Sequence, residues 1–318
     1  MARIFNAQVG VQIFFVLSGL LITHLLLAEH ARTGRIDLSR FYLRRVLRIF
    51  PVYYAAIALS FALAAVGCYS IHPRAFVAAI VYVMNFAPWD FMEATFSHFW
   101  SLAVEEHFYF FWPVAVVLAR GRIFAAGLIA AAAVLLMTLW LAFPPVFVVD
   151  LASSHPVGRW TIPAALPILV GCLAACLLWR RTLTSGMARV LGIAGLLAFL
   201  LPVIPSAQAL VPAVLHSLLS SAAIAAMIAF VVYSPRSLAV RLLELRPLVY
   251  LGTISYGVYI WQGIFSGNGP YRQQPDWPPD PLVGAVLAVA VAALSYHFFE
   301  EPILRYKDRL GRLARPEV

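Results

Sequence analysis

The stretch VGVQIFFVLSGLLITHLL, residues 9–26, decides the fold class of this chain. It contains no Asp, Glu, Lys or Arg, and an α-helix of this length crosses most of the roughly 30 Å hydrocarbon layer of a bilayer. The composition of the whole chain agrees, since 63% of its 318 residues are hydrophobic and 12% are charged. A soluble domain carries about 25% charged residues. The sequence therefore predicts an all-α, polytopic membrane helical bundle.

Nine apolar runs are long enough to cross a membrane. They lie at about 9–28, 49–67, 99–119, 123–143, 161–179, 190–206, 210–233, 248–266 and 281–299. A tenth apolar piece, 76–88, is short and adjoins a Pro-Trp-Asp sequence, so we interpret it as re-entrant or interfacial. No polar stretch is long enough for a soluble domain, and the chain is predicted to be one membrane domain over residues 1–318.

The basic residues predict how the chain is oriented. If residues 29–48 are cytoplasmic, alternation of the nine runs places most of the 23 Lys and Arg residues on the cytoplasmic side, as the positive-inside rule requires. The basic residues outside are Arg3, Arg74, Arg159 and Arg272. The C-terminus is then cytoplasmic and the start of the chain is outside, so we expect a further helix upstream. The net charge of +9 reflects topology, and no nucleic-acid-binding motif is present.

The sequence predicts no metal site. Its three cysteines include Cys172 and Cys176, which lie four residues apart in an apolar run and read as packing residues. The histidines are scattered and do not pair at metal-ligand spacing. No Gly-rich phosphate loop or G-x-S-x-G nucleophile motif is found.

The loop RIDLSRFYLRRVLRIFPVYY, residues 35–54, carries the first candidate cluster. Arg44 and Arg48 are four residues apart and share a helix face, with Arg45 adjacent. Three guanidinium groups at a cytoplasmic boundary suit bidentate binding of phosphate groups. The alternative is ordinary anchoring by arginines whose side chains reach the membrane surface.

The segment SHFWSLAVEEHFYFFWP, residues 97–113, carries the second candidate. Glu105 lies inside an apolar run, where a charged residue costs about 2.5–3.5 kcal/mol and usually faces a cavity or a partner. It shares a helix face with Ser101 and Tyr109. Glu106 reads as a boundary residue. In the alternative interpretation, Glu105 only pairs with an arginine of the 44–48 cluster.

Two later segments give weaker signals. LGTISYGVYIWQ, residues 251–262, places Tyr256 and Tyr259 three residues apart and reads mainly as helix packing. SYHFFEEPILRY, residues 295–306, places Glu300 and Glu301 at a predicted helix end, which reads as charges at the lipid headgroups.

The order of these segments is more specific than any one of them. GVQIFFVLSGLLIT, RRVLRIFPVYY, HFWSLAVEEHFYFFWP, LGTISYGVYIWQ and FFEEP together resemble the acyltransferase-3 family of integral-membrane O-acyltransferases. That family includes O-antigen, peptidoglycan and Nod-factor acetylating proteins of bacteria. The resemblance runs from Val9 to about Arg305 and implies about ten helices in the bacterial inner membrane. It also implies transfer of an acyl group, often acetyl, from acetyl-CoA or another acyl-CoA to a carbohydrate hydroxyl, with no bound cofactor.

The resemblance also assigns roles to residues. Arg44, Arg45 and Arg48 match the family's basic run that is suggested to meet the acyl donor. Glu105, the catalytic candidate, matches the acidic residue of the family's W-S-L-x-x-E motif. The remaining substrate-binding candidates carried by the matching motifs are Tyr53, Trp100, Ser101, Tyr109, Ser255, Tyr256, Tyr259 and Glu300.

Three features of the chain depart from the family pattern. The family's first helix, with an Arg and a His thought to act as general base, is absent here, so the chain reads as N-terminally truncated relative to the family. Gln262 replaces a frequent His, and Gln12 replaces a usual Asp. Glu105 would then orient the missing His or act as a weaker base. A degenerate member would instead be a non-catalytic or transporter-like protein that binds a lipid-linked or glycan substrate. The sequence does not predict the oligomeric state.

Overall fold

A computed structural model of the chain describes residues 7–68, 70–91, 95–200, 213–266 and 281–305. Within these ranges the structure is helical and contains no strand, so the all-α prediction is confirmed. The helices are α1 (Ala7–Thr33), α2 (Leu38–Ala65), α3 (Pro73–Ile80), α4 (Phe99–Leu118), α5 (Ile123–Ala142), α6 (Val146–Leu151), α7 (Thr161–Ala164), α8 (Leu166–Leu178), α9 (Ser185–Leu200), α10 (Ala213–Tyr233), α11 (Leu238–Leu243), α12 (Arg246–Ser266) and α13 (Pro281–Ser295), which continues into a π-helix over Tyr296–Glu300.

Six helices of the described ranges are long and apolar enough to cross a membrane: α1, α2, α4, α5, α10 and the helix that α13 begins. The apolar helices α8 and α9 are shorter. Each predicted apolar run contains a helix, and the chain is a multi-pass membrane protein. The count of nine spans stays a prediction. Residues 76–88 hold the end of α3 and a 3-10 turn, Met84–Phe86, which are too short to form a spanning helix.

The described residues fall into two compact units. The first unit is drawn from Met1–Ile36, Val104–Ser153 and Val157–Glu244, and the second from Asp37–Ala103, Ser154–Pro156 and Leu245–Val318. Helix α4 therefore contributes its first turn to the second unit and its remainder to the first. The prediction of one domain over residues 1–318 is not tested by this division.

The first unit is built on a close crossing of α1 and α8. Gly19 and Gly171 stand at this crossing. A Cβ on Gly19 would overlap the backbone of Ile168, and a Cβ on Gly171 would overlap the backbone of Val16. Small residues let membrane helices approach closely enough for their backbones to make van der Waals contact, which replaces the hydrophobic driving force that lipid does not supply.

The second unit is built on α2, α12 and α13, with an aromatic core. Tyr53 is fully buried, and its ring stacks on Tyr82 with centroids 4.2 Å apart and contacts Phe99 at 4.7 Å. Its hydroxyl donates to the carbonyl of Ala79 at 2.7 Å. The predicted substrate-binding role of Tyr53 stays a prediction, and the structure places the residue in the core.

Candidate active site

The buried carboxylate of Glu105 is the polar centre of the first unit. Glu105 lies in α4 and is 4% exposed. Ser18, in α1, donates from its hydroxyl to Glu105 Oε1. Tyr109, one turn later in α4, donates to the same oxygen at 3.1 Å and to the Ser18 hydroxyl at 3.3 Å. The predicted shared face of Glu105 and Tyr109 is confirmed.

These hydrogen bonds offset the burial of an ionisable group. A carboxylate at bilayer depth costs about 2.5–3.5 kcal/mol, and each hydrogen bond to a charged group contributes about 1.5–3 kcal/mol. The two hydroxyl donors of Ser18 and Tyr109 therefore match the cost of burying an ionised Glu105. The alternative pairing of Glu105 with an arginine of the 44–48 cluster stays a prediction.

Helix α1 carries further polar side chains that bind across the first unit. Gln12 donates from Nε2 to the hydroxyls of Ser220 at 2.6 Å and Ser221 at 3.0 Å, both in α10. Trp112 in α4 donates from Nε1 to the Thr23 hydroxyl at 2.8 Å. Position 12, where the family usually has Asp, is thus an amide that bridges two helices.

The predicted arginine cluster lies at the start of α2 in the second unit. Asp37 caps this helix by accepting a hydrogen bond from the Arg40 backbone amide at 2.9 Å. Arg44 and Arg45 are partly buried and Arg48 is exposed. The guanidinium carbon of Arg45 lies 5.6 Å from the ring centroid of Phe41, one turn earlier in α2. This is a cation–π distance.

Glu300 lies beside the end of this cluster. It is buried, accepts a hydrogen bond from the Ser295 hydroxyl at 3.2 Å, and interacts favourably with the charge of Arg48. Its neighbour Glu301 is partly exposed and forms an ion pair with Arg305 at 2.7 Å. Glu300 is thus the buried member of the pair, and the interpretation of both residues as headgroup charges stays a prediction.

The π-helix explains why Glu300 faces inward. A Cβ on Gly257 of α12 would lie 3.2 Å from Glu300 Oε1 and 3.3 Å from the Ala292 side chain. Ala292 and Glu300, eight residues apart, therefore lie on the same face of their helix. In a regular α-helix, residues eight apart differ by about 80° around the axis. The wide turn over Tyr296–Glu300 absorbs one residue, which reduces the difference to about 20°.

Tyr256 joins α12 to α2 directly after the arginine cluster. Its hydroxyl donates to the Ile49 carbonyl at 2.9 Å. Ser255 points away from this contact, since it is exposed and its hydroxyl donates to the Gly252 carbonyl of its own helix. The structure therefore brings Arg48, Tyr256 and Glu300 together and leaves Ser255 outside.

The beginning of α4 forms a second polar cluster in this unit. The hydroxyls of Ser101 and Tyr259 are hydrogen-bonded to each other, and Tyr259 also donates to the backbone carbonyl of His98 at 2.8 Å. Trp100, in the same turn, is partly buried. His98 itself is buried, with its Nε2 3.3 Å from the Ile260 carbonyl. Because a carbonyl only accepts, Nε2 carries the proton.

His98 was not among the predicted site residues. Burial lowers its pKa to about 4, so the ring is neutral near pH 7. With the proton on Nε2, Nδ1 is a bare acceptor, and within the residues that the structure describes it has no hydrogen-bond partner. A buried unsatisfied acceptor costs about 1–3 kcal/mol. The signal that could have found it is a histidine directly before the Phe-Trp-Ser-Leu sequence that leads to Glu105.

In the described ranges, no three His, Cys, Asp or Glu side chains are grouped so that they could hold a metal ion.

Comparison with known proteins gives a consistent result. A family model described as an acyltransferase domain matches residues 1–297. Similar curated proteins include the peptidoglycan O-acetyltransferase OatA of Listeria monocytogenes, 29% identical over 330 residues, which cover 93% of this chain and 51% of that protein. The putative peptidoglycan O-acetyltransferase YrhL of Bacillus subtilis is 28% identical, over 93% of this chain and 50% of its own length.

A third relative, the O-acetyltransferase OatA of Staphylococcus aureus, is 29% identical over 92% of this chain and 52% of its own length. The chain thus spans about half the length of these curated relatives. No solved structure matches it.

Proposed function

The chain belongs to the acyltransferase-3 family, and from this premise we propose that it is a membrane O-acyltransferase. It transfers an acyl group, specifically acetyl, from acyl-CoA to a hydroxyl of a cell-envelope or exported carbohydrate. The names of the similar proteins, peptidoglycan O-acetyltransferases, support both the acetyl group and the class of acceptor.

The observation that carries the proposal is the group formed by the arginines of α2, buried Glu300 and Tyr256. Coenzyme A bears phosphate groups, which guanidinium groups bind with two parallel hydrogen bonds. Arg44, Arg45 and Arg48 occupy two successive turns at the start of α2, so they present several donors to one anionic ligand. Glu300 places a buried carboxyl group near Arg48, and the Tyr256 hydroxyl donates to the carbonyl of Ile49, the next residue.

We assign the acidic catalytic role to Glu105. Its carboxylate is held in one position by the hydroxyls of Ser18 and Tyr109, as a group that acts on a proton or on a charged intermediate must be. The acceptor's hydroxyl oxygen attacks the thioester carbonyl carbon, and the coenzyme A thiolate leaves.

The orientation follows the same proposal. The arginine cluster and the C-terminus lie on the cytoplasmic side, where acyl-CoA is made, and the loops 143–163 and 267–281 lie on the outer side of the bacterial inner membrane. Single cysteines placed in the 180–189 segment and in the 143–163 loop should react with a membrane-impermeant thiol reagent only from the inner and the outer side, respectively.

Transfer of radiolabelled acetyl from acetyl-CoA tests the function. The full protein, expressed from its own gene and reconstituted in proteoliposomes, should acetylate peptidoglycan fragments or lipid-linked glycans. Arg45→Ala should raise the KM for acetyl-CoA about 10- to 150-fold, because one charge-assisted interaction contributes about 1.5–3 kcal/mol. Arg181→Ala, which removes an exposed arginine of the first unit, is the matched control and should leave KM unchanged. A wild-type protein that transfers no acetyl to any carbohydrate acceptor would overturn the proposal.

A further inference from the structure

We propose that Tyr250 and His297 are positioning residues for the acyl donor, because their contact holds the π-helix that follows α13. The π-helix then keeps the Glu300 carboxyl group near Arg48. The inference rests on the proposed function, in which the arginines of α2 bind the phosphate groups of coenzyme A. Tyr250 and His297 both act through Glu300, so their role requires no contact with the donor itself.

The direction of the Glu300 side chain depends on the π-helix over Tyr296–Glu300. Such helices are rare and occur mostly as single turns inside α-helices, frequently at functional sites. In a regular α-helix, Glu300 would lie about 80° from Ala292 around the axis instead of facing the same side. The contacts that hold the wide turn therefore decide whether the carboxyl group of Glu300 faces α12.

His297, the second residue of the π-helix, joins it to α12. Its Nε2 lies 3.2 Å from the Tyr250 hydroxyl, and the two rings are stacked, with centroids 6.0 Å apart and planes at 17°. Its Nδ1 lies 3.5 Å from the carboxylate of Glu301, which also pairs with Arg305. Because a carboxylate only accepts, the proton of the neutral ring is on Nδ1, and the Tyr250 hydroxyl donates to Nε2.

Helix α12 contacts the π-helix at two points on one face. Tyr250 and Gly257 are seven residues apart, which returns them to within about 20° around the helix axis. Tyr250 binds His297. Gly257 has no side chain and leaves room for Glu300, since an added Cβ would lie 3.2 Å from its Oε1. Two contacts at different heights fix the rotation of the turn, which a single contact would not.

Arg48 is the residue on which this arrangement acts. The π-helix packs against α2, and the buried carboxyl group of Glu300 lies near Arg48. Arg48 is exposed, so its guanidinium group is accessible to an anionic ligand. A long arginine side chain has many rotamers, and a carboxyl group nearby favours those that direct the guanidinium group to one side. A side chain that is already ordered loses less entropy when it binds a phosphate group, which strengthens binding.

His297→Leu tests the assignment, because leucine accepts no hydrogen bond from the Tyr250 hydroxyl. In proteoliposomes with radiolabelled acetyl-CoA and peptidoglycan fragments, the KM for acetyl-CoA should rise about fivefold, the effect of ordering one side chain on binding, with kcat unchanged. His297→Gln, whose amide oxygen accepts from the Tyr250 hydroxyl, should keep KM within twofold of the wild type. His24→Leu, which changes an exposed histidine of the first unit, is the control and should leave KM unchanged.

A donor without phosphate groups distinguishes positioning from a general loss of structure. S-acetyl-pantetheine has no phosphate group for the arginines to bind, so His297→Leu should leave kcat/KM for this donor unchanged. In a Glu300→Gln background, His297→Leu should raise the KM for acetyl-CoA by less than a further twofold, because its effect acts through the Glu300 carboxyl group.

Thermal unfolding of each variant establishes that it is folded. If His297→Leu does not fold, Tyr250→Phe replaces it, since it removes only the hydroxyl, and the same rise in KM is expected. With an active wild type, a folded variant whose KM for acetyl-CoA stays within twofold overturns the positioning role and leaves the proposed function standing. An equal loss of kcat/KM with both donors also overturns it, as does a full fivefold rise in the Glu300→Gln background. An inactive wild type instead refutes the proposed function.

Discussion

Glu105→Gln changes the charge of the buried carboxylate while keeping nearly its shape, and a double-mutant cycle with Tyr109→Phe measures what that charge does. Tyr109 donates to Glu105 Oε1 at 3.1 Å, and with Glu105 ionised such a bond contributes about 1.5–3 kcal/mol. In the Glu105→Gln background the acceptor is neutral, and the same bond contributes about 0.5–1.5 kcal/mol. We therefore expect a coupling energy of about 1–1.5 kcal/mol between the two positions.

The single substitution Glu105→Gln should change stability by little. Removal of the buried charge recovers about 2.5–3.5 kcal/mol of burial cost, and the weaker bonds from Ser18 and Tyr109 lose about 2–3 kcal/mol together. The net change in unfolding free energy should lie between about −0.5 and about +1.5 kcal/mol. Transfer should nevertheless fall at least tenfold, because the amide has no charge with which to orient a proton donor or stabilise a cation.

The assay is the unfolding free energy of the four proteins in mixed micelles, from denaturing-detergent titration, with acetyl transfer measured on the same samples. Ser18→Ala in place of Tyr109→Phe provides an independent cycle on the same oxygen. A coupling below about 0.3 kcal/mol together with wild-type transfer by Glu105→Gln would mean that the carboxyl is neutral and has no catalytic role, and would refute the reasoning.

Three further predictions concern the packing and the second unit. Gly171→Ala should lower the unfolding free energy by about 1–3 kcal/mol, because the added Cβ overlaps the α1 backbone. Gly10→Ala should not, because no atom lies within 4 Å of its added Cβ. Equal effects of the two substitutions in the same titration would argue against the close crossing of α1 and α8. Tyr256→Phe should cost about 1 kcal/mol and raise the KM for acetyl-CoA, because it removes the bond to Ile49; an unchanged KM would separate this contact from donor binding. The unfolding free energy should fall by about 3 kcal/mol as the pH drops from 6.5 towards 4, because His98 is protonated below pH 6.5 in the unfolded chain but only near pH 4 in the folded protein. His98→Gln should remove that part of the pH dependence.

Helical periodicity explains which features the sequence predicted. Residues four apart share a face, so the contact of Glu105 with Tyr109 followed from their spacing alone. The same rule explains why Ser255 and Tyr256, adjacent in sequence and about 100° apart, point in different directions. The predicted apolar runs became helices because length and hydrophobicity are local properties.

Contacts between distant segments were beyond that rule. Ser18 and Glu105 are 87 residues apart, and nothing in either segment indicates that α1 packs against α4 at that height. The burial of His98 depends on the backbone of α12 and on the missing side chain at Gly263. Neither is visible in the sequence around His98 itself.

The wide turn over Tyr296–Glu300 has a consequence for insertions and deletions in this part of the chain. It holds one residue more than a regular turn, so deletion of Phe298 would produce an unbroken α-helix that is locally more regular. With Ala292 fixed against Gly257, Glu300 would then keep its inward direction, because seven residues of regular helix also return it to within about 20° of Ala292. Deletion of a second residue would rotate Glu300 by about 100°, because no further extra residue is present in the turn. The chain should therefore tolerate the deletion of one residue at this point but not of two.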